Sequence, residues 1–130
     1  MVNRYKVIID GRVVATRESK NRTYTHCVLV YGVTDNELGQ LALYRQYLSD
    51  ALATGDQADI GLVAQWVANT EIRIRKYTDT WHPVGWAGTP ALAAKYAAQV
   101  KYCPSDRVRV VPAVAVPAGV SMPQIGDPAP

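Results

Sequence analysis

The chain is expected to be an α+β protein, built as a single, mainly antiparallel sheet with helices on one face. Three observations predict it. Asp10-Gly11 joins two β-rich runs, which is a strong short-range hairpin signal. The apolar spacing then shifts to a helical period from about Asn36 to Ala53. Short Val- and Arg-rich strand patterns return near the C-terminal end. The order is β-β-β-α-(α)-β-α-β, with local hairpin pairing first and helix-separated strands later.

Tyr5 to Ile9 and Arg12 to Arg17 are the arms of that hairpin. Thr25 to Tyr31 is almost continuously apolar, which predicts a central strand covered on parts of both faces. Leu38, Leu41, Tyr44, Leu48 and Leu52 form one stripe of a long helix, with Asp35 as N-cap and Gly55 as its stop. Ile60, Val63, Ala64 and Val67 repeat at helical spacing and predict a second, shorter helix. Glu71-Ile72-Arg73-Ile74-Arg75 alternates strictly and is expected to be a half-buried strand. Thr78 to Gly88 reads as a loop. Thr89-Pro90 opens a helix to about Lys101, with Leu92, Ala93, Tyr96 and Val100 inward. Arg107 to Val111 is a last strand. The prolines from Pro112 onward interrupt regular structure, so residues 1–114 are expected to form one domain and 115–130 a loosely ordered tail.

With 130 residues, 48% hydrophobic and 19% charged, the composition is that of a globular domain rather than a disordered chain. Cys27 and Cys103 are far apart among apolar neighbours and read as small buried hydrophobes of a reducing compartment. No stretch approaches a membrane span, and Met1 to Lys6 lacks an apolar signal region, so a cytoplasmic protein is expected.

Chemistry-bearing patterns are sparse. His26 and His82 are the two imidazoles, and neither forms a metal-ligand spacing with the cysteines, so no metal or cofactor is expected. Gly85-Trp86-Ala87-Gly88 lacks the lysine and hydroxyl of a phosphate loop. Asp35/Glu37 and Asp56/Asp59 read as helix-start charges rather than catalytic carboxylates. Tyr24 and His26, two apart, would share a strand face as an acid/base pair, although a hydrogen-bonded rim histidine is the commoner role. With Lys20 and Arg22 they form a candidate recognition loop beside the central strand.

Two surfaces are candidates for binding. Leu43 and Tyr47, four apart, lie opposite the core stripe of the long helix and predict either contact with a partner protein or a second copy, or a helix buried on its second side by the Trp66 segment. Arg73, Arg75 and Tyr77 on one strand, with Arg107 and Arg109 on another, would converge on an open sheet face able to follow a phosphate backbone. The net charge of +3 permits an acidic partner without demanding one.

Thr16-Arg17-Glu18-Ser19-Lys20 with Arg22 to His26, and Gly85 to Lys95 before a Val-rich strand, resemble small accessory proteins of bacteriophages and mobile elements of high-GC bacteria. The resemblance implies an accessory role and no catalytic residues. The expected function is therefore non-catalytic binding, through protein contact or self-association, in the cytoplasm of a bacterial host. The alternative is a nucleic-acid-binding module using the arginine face.

Overall fold

The computed structural model of the protein describes residues 2–101 and 103–129. They fall into two compact units, residues 1–31 with 80–130, and residues 32–79. The first unit is mostly β. The second is a pair of helices.

In the first unit β1 (Asn3–Ile9) and β2 (Arg12–Ser19) form the predicted hairpin. Asp10 and Gly11 both take positive φ, 52° and 76°. That is the two-residue turn whose twist matches the flanking strands. β3 (His26–Tyr31) pairs antiparallel with β4 (Trp81–Ala87) on one edge and β5 (Val108–Pro112) on the other. The single sheet is thus corrected to two three-stranded antiparallel sheets, ordered β2-β1-β6 and β4-β3-β5. The physical reason is that β6 (Val114–Ala115), from the end of the chain, takes the free edge of β1.

The two sheets share a core of Val7, Ile9 and Ala15 with Cys27 and Leu29, joined by Trp81, Trp86 and Val111. Side chains alternate along a strand, so Val28 and Val30 point to the other face of β3. Helix α3 (Pro90–Gln99) packs on β3, β4 and β5, with Ala93 fully buried. A strand covered on both faces needs the continuous apolar run seen in β3. Thr89 caps α3 by accepting from the Leu92 N–H at 3.1 Å, with Pro90 in the first turn.

The segment read as a loop is β4. Pro83 and Gly85 disguise it, but it is an edge strand, where proline is tolerated, and it bulges between the Val28–Gly85 and Leu29–Pro83 pairs.

The second unit holds α1 (Asp35–Thr54) and α2 (Gln57–Tyr77). The N-cap of α1 is Thr34, not Asp35. Its hydroxyl accepts from the Glu37 N–H at 3.3 Å, and the Glu37 carboxylate accepts from the Thr34 N–H at 3.1 Å. Gly55, at φ 77°, ends the helix as expected. Glu71 to Arg75, expected as a strand, continues α2 for a further turn and a half. Over five residues the alternating pattern hides the longer one: Val63, Val67, Thr70, Ile74 and Tyr77 repeat at three- and four-residue steps.

Among the described residues no helix is long and apolar enough to cross a membrane.

The chain end is tied down, which corrects the expectation of a loose tail. Val13 donates to Asp127 O at 2.9 Å, Gly126 N–H donates to Val13 O at 2.8 Å, and Ala129 N–H donates to Gly11 O at 2.8 Å. Val116 is buried and its N–H donates to Arg4 O at 2.8 Å. The prolines sit between these anchors rather than within them. Truncation after Ala118 removes the three bonds to Gly11 and Val13. The loss is expected to be roughly 1–2 kcal/mol, read as a fall in Tm of about 3–8 °C. A fall within about 1 °C would show that the docked end contributes nothing.

Burial separates the two thiols. Cys27 is fully buried, and desolvation pushes its thiol up to about 12 despite the opposing influence of Arg17. Cys103 is only half-buried; burial also raises it, against Arg107 and with Asp106. Both are free. At pH 8 an aromatic disulfide reagent should titrate one thiol in the native protein and two in denaturant. Two rapid native equivalents would contradict the burial of Cys27. Because the folded Cys27 retains its proton longer than the unfolded one, its contribution to stability should be neutral below about pH 9 and fall above it.

Candidate functional site

The two helices of the second unit lie antiparallel. Arg45 Nη2 meets Glu71 Oε1 at 3.1 Å, Arg73 Nε lies 3.8 Å from Glu37 Oε1, and the Tyr44 and Trp66 rings are 5.5 Å apart. This register sets Tyr44 level with Val67 and Leu41 level with Thr70. The inward seam of α1 is Thr34, Glu37, Leu41, Tyr44, Leu48 and Ala51; that of α2 is Ile60, Val63, Val67, Thr70, Ile74 and Tyr77. Both advance by alternating steps of three and four, the spacing of a coiled-coil seam. Leu38 and Leu52, expected on the core stripe, are largely exposed.

A second seam runs beside the first. On α1 it is Gln40, Leu43, Tyr47 and Asp50; on α2 it is Asp59, Leu62, Trp66, Asn69 and Arg73. These too step by three and four. Their apolar members are half-open to solvent: Leu43 46%, Tyr47 43%, Leu62 50% and Trp66 38%. Tyr44 links the helices, with its ring 6.4 Å from Tyr47 and 5.5 Å from Trp66. The opposite flank carries the Arg45–Glu71 ion pair and the exposed Leu38 and Leu52, with no aromatic side chain. Leu43 and Tyr47 therefore flank the core instead of opposing it, and Trp66 both packs on Tyr44 and widens the exposed patch. Trp66, expected either to cover Leu43 and Tyr47 or to leave them open, joins them in the patch, and Leu62 is the member the sequence reading missed. The signal of this seam was the seven-residue step from Asp59 to Trp66 to Arg73.

The proposed arginine face does not form. Arg73, Arg75 and Tyr77 lie on α2, whereas Arg107 closes a short 3-10 turn and Arg109 is on β5, in the other unit. Residues two apart share a strand face but diverge by about 200° on a helix, so Arg73 and Arg75 also part. Arg109 stacks over the Trp81 ring at 4.7 Å.

The recognition loop is brought together only in part. Arg22 and Tyr24 line a cleft of about 320 Å³ with Arg17, Pro83, Val84 and Trp86. Arg17 lies over the Tyr24 ring at 5.3 Å, and Tyr24 packs on Tyr5 and Trp86. Lys20 is exposed on the adjoining turn. His26 Nδ1 is 2.8 Å from Thr25 Oγ1, while the Tyr24 ring is largely buried among aromatic neighbours. β3 begins at His26, so Tyr24 precedes the strand and does not share a strand face with His26 as considered for an acid/base pair. Among the described residues no group of three or more His, Cys, Asp or Glu is placed to hold a metal ion.

Comparison with protein-family models, with curated proteins and with solved structures finds no match.

Without the expected two-strand arginine face, the wild-type protein should bind single- or double-stranded nucleic acid no more tightly than about 10⁻⁶ M at physiological salt, the non-specific range. A sub-micromolar affinity that weakens steeply with salt would contradict this, and Arg17→Glu with Arg22→Glu would then test the cleft.

Proposed function

We propose that this chain is a non-catalytic binding protein that works by protein–protein contact through the second seam of its helical hairpin. The role is accessory, of the kind implied by its resemblance to small bacteriophage proteins. The observation that carries the reading is the patch of Leu43, Tyr47, Leu62 and Trp66, which crosses both helices. Aromatic and leucine side chains grouped beside one another, with polar residues around them, are the composition of an interface core rather than of a solvated helix face. Trp and Tyr gain most from such burial because each combines a large apolar area with a polar edge.

The test is Leu43→Lys together with Tyr47→Lys. Both positions are open to solvent, so helicity should be retained and Tm should move by no more than a few degrees. The double variant is expected to lose any mass above 14.2 kDa in solution, and to lose protein partners that the wild type retains from a host lysate. A wild type and double variant with identical mass and identical partners would contradict the reading.

A further inference from the structure

We infer that the occupant of this seam is a second copy of the chain, packed as an antiparallel, two-fold symmetric pair of hairpins. The inference rests on the protein-contact reading of the same seam. What it adds is the partner and its orientation, and charge supplies both.

Along α2 the seam reads Asp59, Leu62, Trp66, Asn69, Arg73, with Trp66 seven residues from the aspartate and seven from the arginine. A helix laid antiparallel on its own copy about Trp66 therefore sets Asp59 against Arg73 of the second copy. Two-fold symmetry repeats each contact, because an isologous interface uses every pairing twice.

α1 obeys the same centre independently. The hairpin register places Trp66 level with position 45, midway between Leu43 and Tyr47. About that level Gln40 faces Asp50 of the second copy, a compatible pair. The hairpin tip, from Gln46 to Val67, contains Asp50, Asp56 and Asp59 and no Lys or Arg. The end of α2 carries Arg73, Arg75 and Lys76. A parallel arrangement would set the acidic tips against each other, which like-charge repulsion disfavours.

The size is adequate. Helices of 20 and 21 residues run about 30 Å, and a two-helix face about 20 Å wide offers roughly 600 Å² on each side. That lies at the lower end of stable interfaces, so a reversible dimer is expected. Among the described residues Arg73 is half-exposed and meets Glu37 at 3.8 Å, and Asp59 is exposed.

Charge reversal tests this directly, by sedimentation equilibrium at low salt with one variant carrying a mass tag. The wild type should approach twice 14.2 kDa, and Trp66→Lys should be monomeric with its helicity retained. Asp59→Arg places two arginine pairs across the two-fold, and Arg73→Asp places two aspartate pairs. Each variant alone should dissociate about ten-fold more readily than wild type. Mixed one to one, they should form a heterodimer of near wild-type affinity, since every contact then pairs Arg with Asp. Asp59→Arg also loses a favourable charge at a helix start, but that loss is not rescued by mixing. A mixture no tighter than its components would overturn the antiparallel pairing while leaving the docking seam in place. A wild type monomeric at every concentration would overturn the second copy as occupant, and the seam would then stand or fall on partners lost by the lysine variants. A dimer untouched by Trp66→Lys would overturn the inference and the reading beneath it.

Discussion

The pairing of β3 with β4 is the constraint on which both units depend. Tyr31 pairs with Trp81, so the chain leaves the sheet at one strand end and returns to the adjacent one. Everything between, residues 32–80, must fold as an excursion that begins and ends at neighbouring points. Two antiparallel helices meet that demand directly, because their own ends are adjacent. On the sheet side, β3 buries four successive residues, Cys27 to Val30, and so needs partners on both edges and cover on both faces. β4 and β5 supply the edges; the β1–β2 sheet and α3 supply the faces.

A two-helix excursion has a limited capacity for burial. One seam on each helix packs against the other, and that seam holds Leu41, Ala51, Val63 and Val67. It is weaker than an ideal coiled-coil seam, since Glu37 and Thr70 occupy core levels and Thr70 is satisfied only by donating its hydroxyl to Trp66 O at 2.8 Å. Four further large side chains, Trp66, Tyr47, Leu43 and Leu62, stand on the second seam and remain half-open to solvent. An apolar group of that size left outside the helix pair is what an interface requires.

How far the sequence was legible follows from pattern length. The hairpin turn, the continuous apolar strand, the capped α3 and the glycine at the end of α1 each carry a local signature that tertiary packing did not override. The misreadings share one cause. Glu71 to Arg75 satisfies both a two-residue and a helical period, and only the longer register through Val67 and Tyr77 decides between them. Pro83 and Gly85 mark a turn in most settings and an edge strand here because β3 supplies the partner. The docked chain end was hidden for the same reason: its hydrogen bonds go to Gly11 and Val13, more than a hundred residues away. At the candidate site Leu43 and Tyr47 were visible as an i, i+4 pair. Leu62 and Trp66 joined them only once the antiparallel register set the two helices side by side.

The central claim is that the second seam is covered by protein when the molecule is at work. Amide hydrogen exchange at two protein concentrations tests it most directly, because association protects only what it covers. Amides from Leu62 to Arg73 should exchange more slowly at the higher concentration, while those of β3 keep the same rate. Identical exchange along α2 at both concentrations would contradict it.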